Sequence, residues 1–217
     1  MTETHDFGDG PVPSHRHQNP DGTLGGWVAD TAAVGRDATV GRYATVGPYA
    51  TVDQYATVGR RAIVGRGARV GPDATVGRHA IVGPDATVGR HAIVGPGATV
   101  GQGATVGPDA RVVERHQIIT VAPVGSEDRT VTCYRTETGH SIQAGCWTGT
   151  VDELRARIAD PSEAWPDLDP DDRDRVAAEY AALCDLFAPR VATWHPADMA
   201  PGGEAAAHRR TCPAVAS

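Results

Sequence analysis

The sequence predicts a mostly β solenoid followed by a small α+β module. Three observations carry that prediction. From Val34 to Arg111 a six-residue phrase, V-G-x-x-A-x, recurs thirteen times with almost no error, and self-similarity at a fixed short period is the mark of stacked repeats. Hydrophobic residues make up 40% of the 217, yet aromatics make up 5%, with two Phe. That is too few large side chains for a conventional core but enough for coils filled by Val and Ala. Near His116 the period of six gives way to alternating and then helical spacing.

Charge is unevenly placed. The net value is −7, with no Lys, so that all 20 basic residues are Arg. Residues 34–113 hold nine Arg against five Asp, whereas 151–217 hold seven Arg against thirteen acids. Such asymmetry marks the basic segment as the place for an anionic partner, expected to be small rather than a long nucleic acid. Cys133, Cys146, Cys184 and Cys212 show no metal-ligand spacing, and no metal is expected. With neither a signal peptide nor an apolar run of membrane-spanning length, the expected setting is cytoplasmic and reduced, with no membrane partner.

The first segment, 1–26, is polar, rich in Pro, Gly and His, and without period. It reads as a disordered arm, and its His5, His15 and His17 as surface histidines. Trp27 and Val28 stand where the array begins, Val28 opening a degenerate copy of the phrase that ends at Ala33, and Trp27 is expected to cover the open end of the first coil. The β-helix is expected over 27–117.

Period six is too short for a helical unit and suits a short extended segment plus a tight turn. Val at the first place and Ala at the fifth point inward. Gly at the second supports the turn, with the single exception of Asp53. Pro48, Pro72, Pro84, Pro96 and Pro108 occupy the third place, where a fixed φ suits a turn. Thr, common at the sixth, suits an outward β position.

These phrases resemble those of the hexapeptide-repeat proteins, [LIV]-[GAED]-x-x-[STAV]-x, over about ninety residues. The resemblance implies a left-handed parallel β-helix with three phrases per coil, usually assembled as a trimer. In acyltransferases of the family, ligands lie in grooves between neighbouring β-helices, an acyl-CoA is the donor, and a His is the general base.

Three phrases per coil stack residues eighteen apart, which sorts the phrases into three columns. The column that begins at Val40, Val58, Val76 and Val94 contains no acid, whereas Asp37, Asp53, Asp73, Asp85 and Asp109 fall in the other two. Arg42, Arg60 and Arg78 form a ladder in it, and Tyr43, Arg61 and His79 run alongside. Unit charges about 4.8 Å apart repel by roughly 1 kcal/mol even in water. Solvent and splay, a neighbouring subunit's Asp73 or Asp85, or an anionic ligand must offset that. Arg forks suit phosphate oxygens. Tyr43, Tyr49 and Tyr55, all in one coil, suit either stacking on bases or packing between subunits. Ile63 and Ile81 stand one above the other where the phrase usually places Thr, which predicts a subunit contact.

His79 and His91 both occur in VGRHAI phrases, in one coil but different columns. In a parallel trimer His79 of one chain and His91 of the next would approach one groove. They are read as ligand-binding residues or, on the family's chemistry, as general bases. Against catalysis, no loop interrupts the array and the phrases lack the imperfections of a tailored active site.

Beyond His116 the sequence predicts a strand at Ile118–Val124, alternating segments at Arg129–Thr136 and Ser141–Trp147, a helix opened by the Thr150/Glu153 capping box, and a second helix over Asp171–Pro189. This α+β module, 118–194, resembles one found in uncharacterised bacterial and phage proteins, a likeness that carries no assigned chemistry. The acidic run Asp167–Asp174 reads as helix capping rather than a calcium loop. Cys146 beside Trp147 is a thiol to consider, and residues 195–217 read as a flexible tail.

The expectation is a trimeric, non-enzymatic β-helix holding a small phosphorylated ligand, such as a nucleotide or cyclic nucleotide signal, against Arg42, Tyr43, Arg60, Arg61, Arg78, His79 and His91. No cofactor is expected in that case. The alternatives are an acyl-CoA-dependent acyltransferase and a structural trimerisation stalk.

Overall fold

A computed structural model describes residues 3–194. Its chain divides into two units, 1–118 and 119–217. The first is a left-handed parallel β-helix. Fourteen two-residue strands, β4 (Ala33–Val34) to β17 (Arg111–Val112), recur every six residues. Strands eighteen residues apart pair in parallel, as in Ile81 with Ile63 and Val82 with Val64, so one coil is three phrases. Each strand joins the sixth place of one phrase to the first of the next. The first-place Val residues from Val40 to Val112 and the fifth-place Ala residues from Ala38 to Ala110 are at most 1% exposed. This is the thin core that a composition poor in aromatics allows.

Coils are joined by backbone hydrogen bonds at strands and corners alike. Gly59 N donates to Val76 O at 2.6 Å and Thr57 N to Ala74 O at 2.8 Å. At the corner His79 N donates to Arg60 O at 3.1 Å. Every backbone group satisfied this way is one that burial does not penalise.

The corner itself is a type II turn. Ala80 N donates back to Gly77 O at 3.1 Å, and His79 sits at φ 59°. The positive φ falls on the fourth place, while the third takes Pro in five phrases, as that turn requires. The second-place Gly has a different cause from the turn support expected of it. A Cβ on Gly77 would lie 2.7 Å from the backbone of Gly95 and Pro96 in the next coil. It is the stacking distance between coils that excludes the side chain there.

The amino-terminal segment corrects the expectation of a disordered arm over 1–26. Its β1 (Thr4–Asp6), β2 (Pro11–Gln18) and β3 (Leu24–Ala29) form an antiparallel meander. β3 then pairs in parallel with Thr45–Val46, so the meander extends one face of the solenoid. Pairing, rather than an apolar pattern, orders these polar residues, which is why composition did not announce them. Trp27 does not plug the coil: it shares the outward register of Thr45 and Ile63, while Val28 is the residue turned in, 1% exposed. His5 stacks on the Trp27 ring at 5.1 Å and the Arg16 guanidinium lies 5.4 Å from it. The coil end is held instead by Asn19. Its Oδ1 accepts from Val40 N at 2.9 Å and its Nδ2 donates to Val40 O at 3.3 Å.

The second unit is an antiparallel sheet of β18 (Ile118–Val124), β19 (Arg129–Arg135), β20 (His140–Ala144) and β21 (Trp147–Gly149) with three helices. Helix α1 (Val151–Ile158) opens on the capping box, Thr150 Oγ1 accepting from Glu153 N at 3.2 Å. Helix α2 (Pro161–Ala164) was not anticipated. Helix α3 (Pro170–Val191) is capped by Asp169. Val176, Tyr180, Leu183 and Phe187 turn into a core shared with Val131, Cys133 and Ile142. The expected tail, 195–217, lies outside the described residues. Among the described residues no helix is long and apolar enough to cross a membrane.

Candidate functional site

The acid-free column becomes one corner of the solenoid. Each of its turns presents a third-place and a fourth-place side chain, and the left-handed backbone at the fourth place throws that side chain clear of the surface. Tyr43, Arg61 and His79 all adopt it, at φ 64°, 59° and 59°. Tyr43 is 51% exposed, and Arg42, Arg60, Arg61, Arg78 and His79 are exposed with it.

Three of the guanidinium groups gather on one ring. Arg42, Arg60 and Arg61 lie 5.2, 5.6 and 5.9 Å from the centre of Tyr43. Attraction of about 0.5–1 kcal/mol for each exposed cation–π contact offsets part of their mutual repulsion. No carboxylate pairs with Arg42, Arg60, Arg61 or Arg78 among the described residues. The corner therefore presents a column of positive charge with its hydrogen-bond donors turned to solvent.

The two histidines separate. The His79 imidazole has no hydrogen-bond or ion-pair partner among the described residues. His91, at another corner, is held between two acids of the coils on either side: Nε2 lies 3.4 Å from Asp73 Oδ2 and Nδ1 lies 3.3 Å from Asp109 Oδ1. Arg90 Nε donates to His91 Nε2 at 3.2 Å. Within one chain, then, Arg42, Tyr43, Arg60, Arg61, Arg78 and His79 come together and His91 does not join them. Sequence reasoning missed this difference, although the stacking of Asp73, His91 and Asp109 at steps of eighteen was there to be read.

Ile63 and Ile81 pair as neighbours on the face that follows the Arg corner, 45% and 38% exposed. Among the described residues no group of three or more His, Cys, Asp or Glu is placed to hold a metal. In the second unit Cys133 is buried, which pushes its thiol up to about 12, and Cys184 is buried and raised for the same reason. Cys146 is disulfide-bonded. None of the three is a thiolate nucleophile at neutral pH.

Comparison with known proteins bears on the array. Residues 55–90 match the family model described as bacterial transferase hexapeptide (six repeats). No curated protein matches. Among solved structures, PerB from Caulobacter crescentus, in complex with CoA and GDP-perosamine, is 22% identical, with 40% of this chain and 45% of that one aligned at a TM-score of 0.32. The chain thus spans about half the length of that enzyme. A putative acetyltransferase from Bacillus cereus is 12% identical, covering 74% of this chain and 90% of that one at a TM-score of 0.24. A hexapeptide transferase family protein from Anaplasma phagocytophilum is 13% identical, with 76% and 94% covered at 0.27. The family match thus marks residues 55–90 as hexapeptide repeats, and the eighteen-residue register of the strands makes the array around them a parallel β-helix.

Proposed function

We propose that the protein is an acyltransferase, with the phosphates of a CoA thioester held on the Arg42–Arg60–Arg78 ridge and His79 as the general base. One observation carries this reading. The ridge is unpaired and His79 stands on it with a free imidazole, whereas His91 is held between carboxylates. Guanidinium groups meet phosphate oxygens with two parallel donors each, a fit that an ammonium does not offer. A neutral His79 accepts the proton of an acceptor amine or hydroxyl as that atom attacks the thioester carbonyl, and the CoA sulfur leaves with the electron pair. The transferase family model at residues 55–90 supports the same class.

The assembly that suits it is a homotrimer, with Ile63 and Ile81 buried between subunits and the acceptor in the groove beside the Arg corner. Apolar neighbours stacked between Thr45 and Thr99 on an outward face favour such a contact. Light scattering on Ile81→Asp tests it: the trimer mass should fall to that of the monomer.

A second reading keeps the corner and removes the reaction. The array runs from Ala33 to Val112 without an inserted loop, so no built wall for an acceptor is evident within one chain. On that reading the protein holds a nucleotide or cyclic nucleotide without turning it over. Thermal shift against acetyl-CoA, CoA, nucleotides and cyclic dinucleotides, with thiol release from acetyl-CoA measured beside it, separates the two. A micromolar ligand supplied at millimolar concentration adds roughly 4 kcal/mol. Acetyl-CoA stabilisation with thiol release that His79→Ala abolishes, and binding that Arg60→Ala weakens, supports the transferase. Stabilisation by a cyclic dinucleotide alone, without turnover, replaces it with the binder. A flat response to every compound overturns both and leaves a stalk.

A further inference from the structure

The second unit holds a cavity of about 240 Å³ between its sheet and its helices. One wall is an aromatic pair, Trp165 and Tyr180, with ring centres 5.5 Å apart and planes at 24°. Trp147, from the sheet, lines it too. Tyr180 is 8% exposed, and its hydroxyl makes no hydrogen bond among the described residues. The hydroxyl therefore has its donor and its lone pairs free for a molecule that enters the cavity. Burial also raises the Tyr180 pKa, so the phenol keeps its proton and remains a donor. The indole N–H groups of Trp147 and Trp165 are likewise without partners among the described residues.

The charge lining the cavity is basic on balance. Arg129 is ion-paired with Glu127. Glu179 is already occupied by Gly125 N and by Arg175, each at 2.8 Å. Arg157 donates to Ala164 O at 3.0 Å and has no carboxylate partner among the described residues. A dry cavity of about 150 Å³ accepts benzene, so this volume takes an aromatic ring together with a polar substituent.

We infer that this cavity binds a planar aromatic carboxylate, its ring against Trp147 and the Trp165–Tyr180 pair and its carboxylate on the Tyr180 hydroxyl and the Arg157 guanidinium. All of these residues belong to the second unit, so the inference is independent of the acyl-transfer reading. Offset stacking against two or three aromatic faces selects a flat ring, and the unpartnered phenol, beside a guanidinium that no carboxylate neutralises, selects an acceptor with negative charge.

The test uses the full chain and its own tryptophans. Indole-3-carboxylate, benzoate and the non-planar cyclohexanecarboxylate are titrated separately to millimolar concentration, benzoate and cyclohexanecarboxylate by Trp fluorescence and all three by thermal shift. The expected result is saturable binding of the two aromatic acids and weak binding of the third. Tyr180→Phe, which keeps the ring and the stack, should weaken the aromatic acids about tenfold, or about 1.4 kcal/mol. Arg157→Gln, on an exposed helix surface, should do the same and covers the case in which the buried variant fails to fold. Arg78→Ala should leave this binding unchanged. Absence of saturation by both aromatic acids, equal binding of cyclohexanecarboxylate, or unaltered affinity in both cavity variants would overturn the inference.

Discussion

The fourth place of each phrase concentrates the backbone cost of this fold. A left-handed residue with a Cβ costs roughly 1–2 kcal/mol, and Tyr43, Tyr49, Tyr55, Arg61, His79 and His91 all bear it. Tyr55, 61% exposed, has no cation over its ring among the described residues. Tyr55→Gly removes the strain and adds backbone entropy to the unfolded chain, worth about 0.5–1 kcal/mol the other way. The net expectation is a stabilisation of about 0.5–1 kcal/mol; a lower denaturant midpoint than wild type would contradict it. The second place behaves oppositely. Gly77→Ala drives a methyl into the backbone of Gly95 and Pro96 and should cost 2 kcal/mol or more, of the order of an overpacked core, seen as a drop in Tm. The sequence concealed the strained place because it hosts Tyr, Arg, His and Asp as well as Gly, so no single residue type announces a positive φ. It displayed the acid-free column plainly, because a charge pattern of eighteen survives whatever the local backbone does.

Among the elements, the phrases, the capping box at Thr150 and Glu153 and the long helix ending in Val191 were legible because their determinants are local: period, cap and spacing. The β1–β3 meander was not, since its order comes from pairing with a coil far along the chain. Asn19 is the residue that joins the two. Asn19→Ala leaves the buried Val40 N–H without its acceptor and removes the cap, for a loss of about 2–3 kcal/mol, measurable by chemical unfolding together with faster amide exchange at Val40. In the second unit, Asp160 and Asp169 cap α2 and α3. Hydrogen bonds from Ser162 and Glu163 to Asp160, and from Asp172 to Asp169, hold both carboxyls below the ordinary 3.8. A lowered folded-state pKa means stability that is complete above 3.8 and lost as pH falls through the lower folded values. Helical circular dichroism should therefore decline below about pH 4, and Asp169→Asn, which keeps a capping oxygen without the charge, should flatten part of that decline.

For the whole molecule, two units with separate cores carry two candidate sites of different character, an exposed cationic ridge and an aromatic-walled cavity. The ridge depends on a property no single phrase has, namely which residues fall above which. Three steps of six close one circuit, so the chain works like a thread on a screw: position along the sequence is also an angle. Deleting one phrase, 64–69, would leave every Val and Ala pointing inward yet turn all later residues by one face. Arg78 would then stand above Gln54, and Pro84 above Arg60. Duplicating a full circuit, 64–81, would instead lengthen the ridge by one rung, about 4.8 Å, with a second copy of Arg78 and His79 in line. The first variant should keep a cooperative melt and lose the ligand that Arg60→Ala weakens; the second should keep both. Such a chain can change its length by whole circuits without disturbing the ridge, and a single phrase gained or lost would erase it.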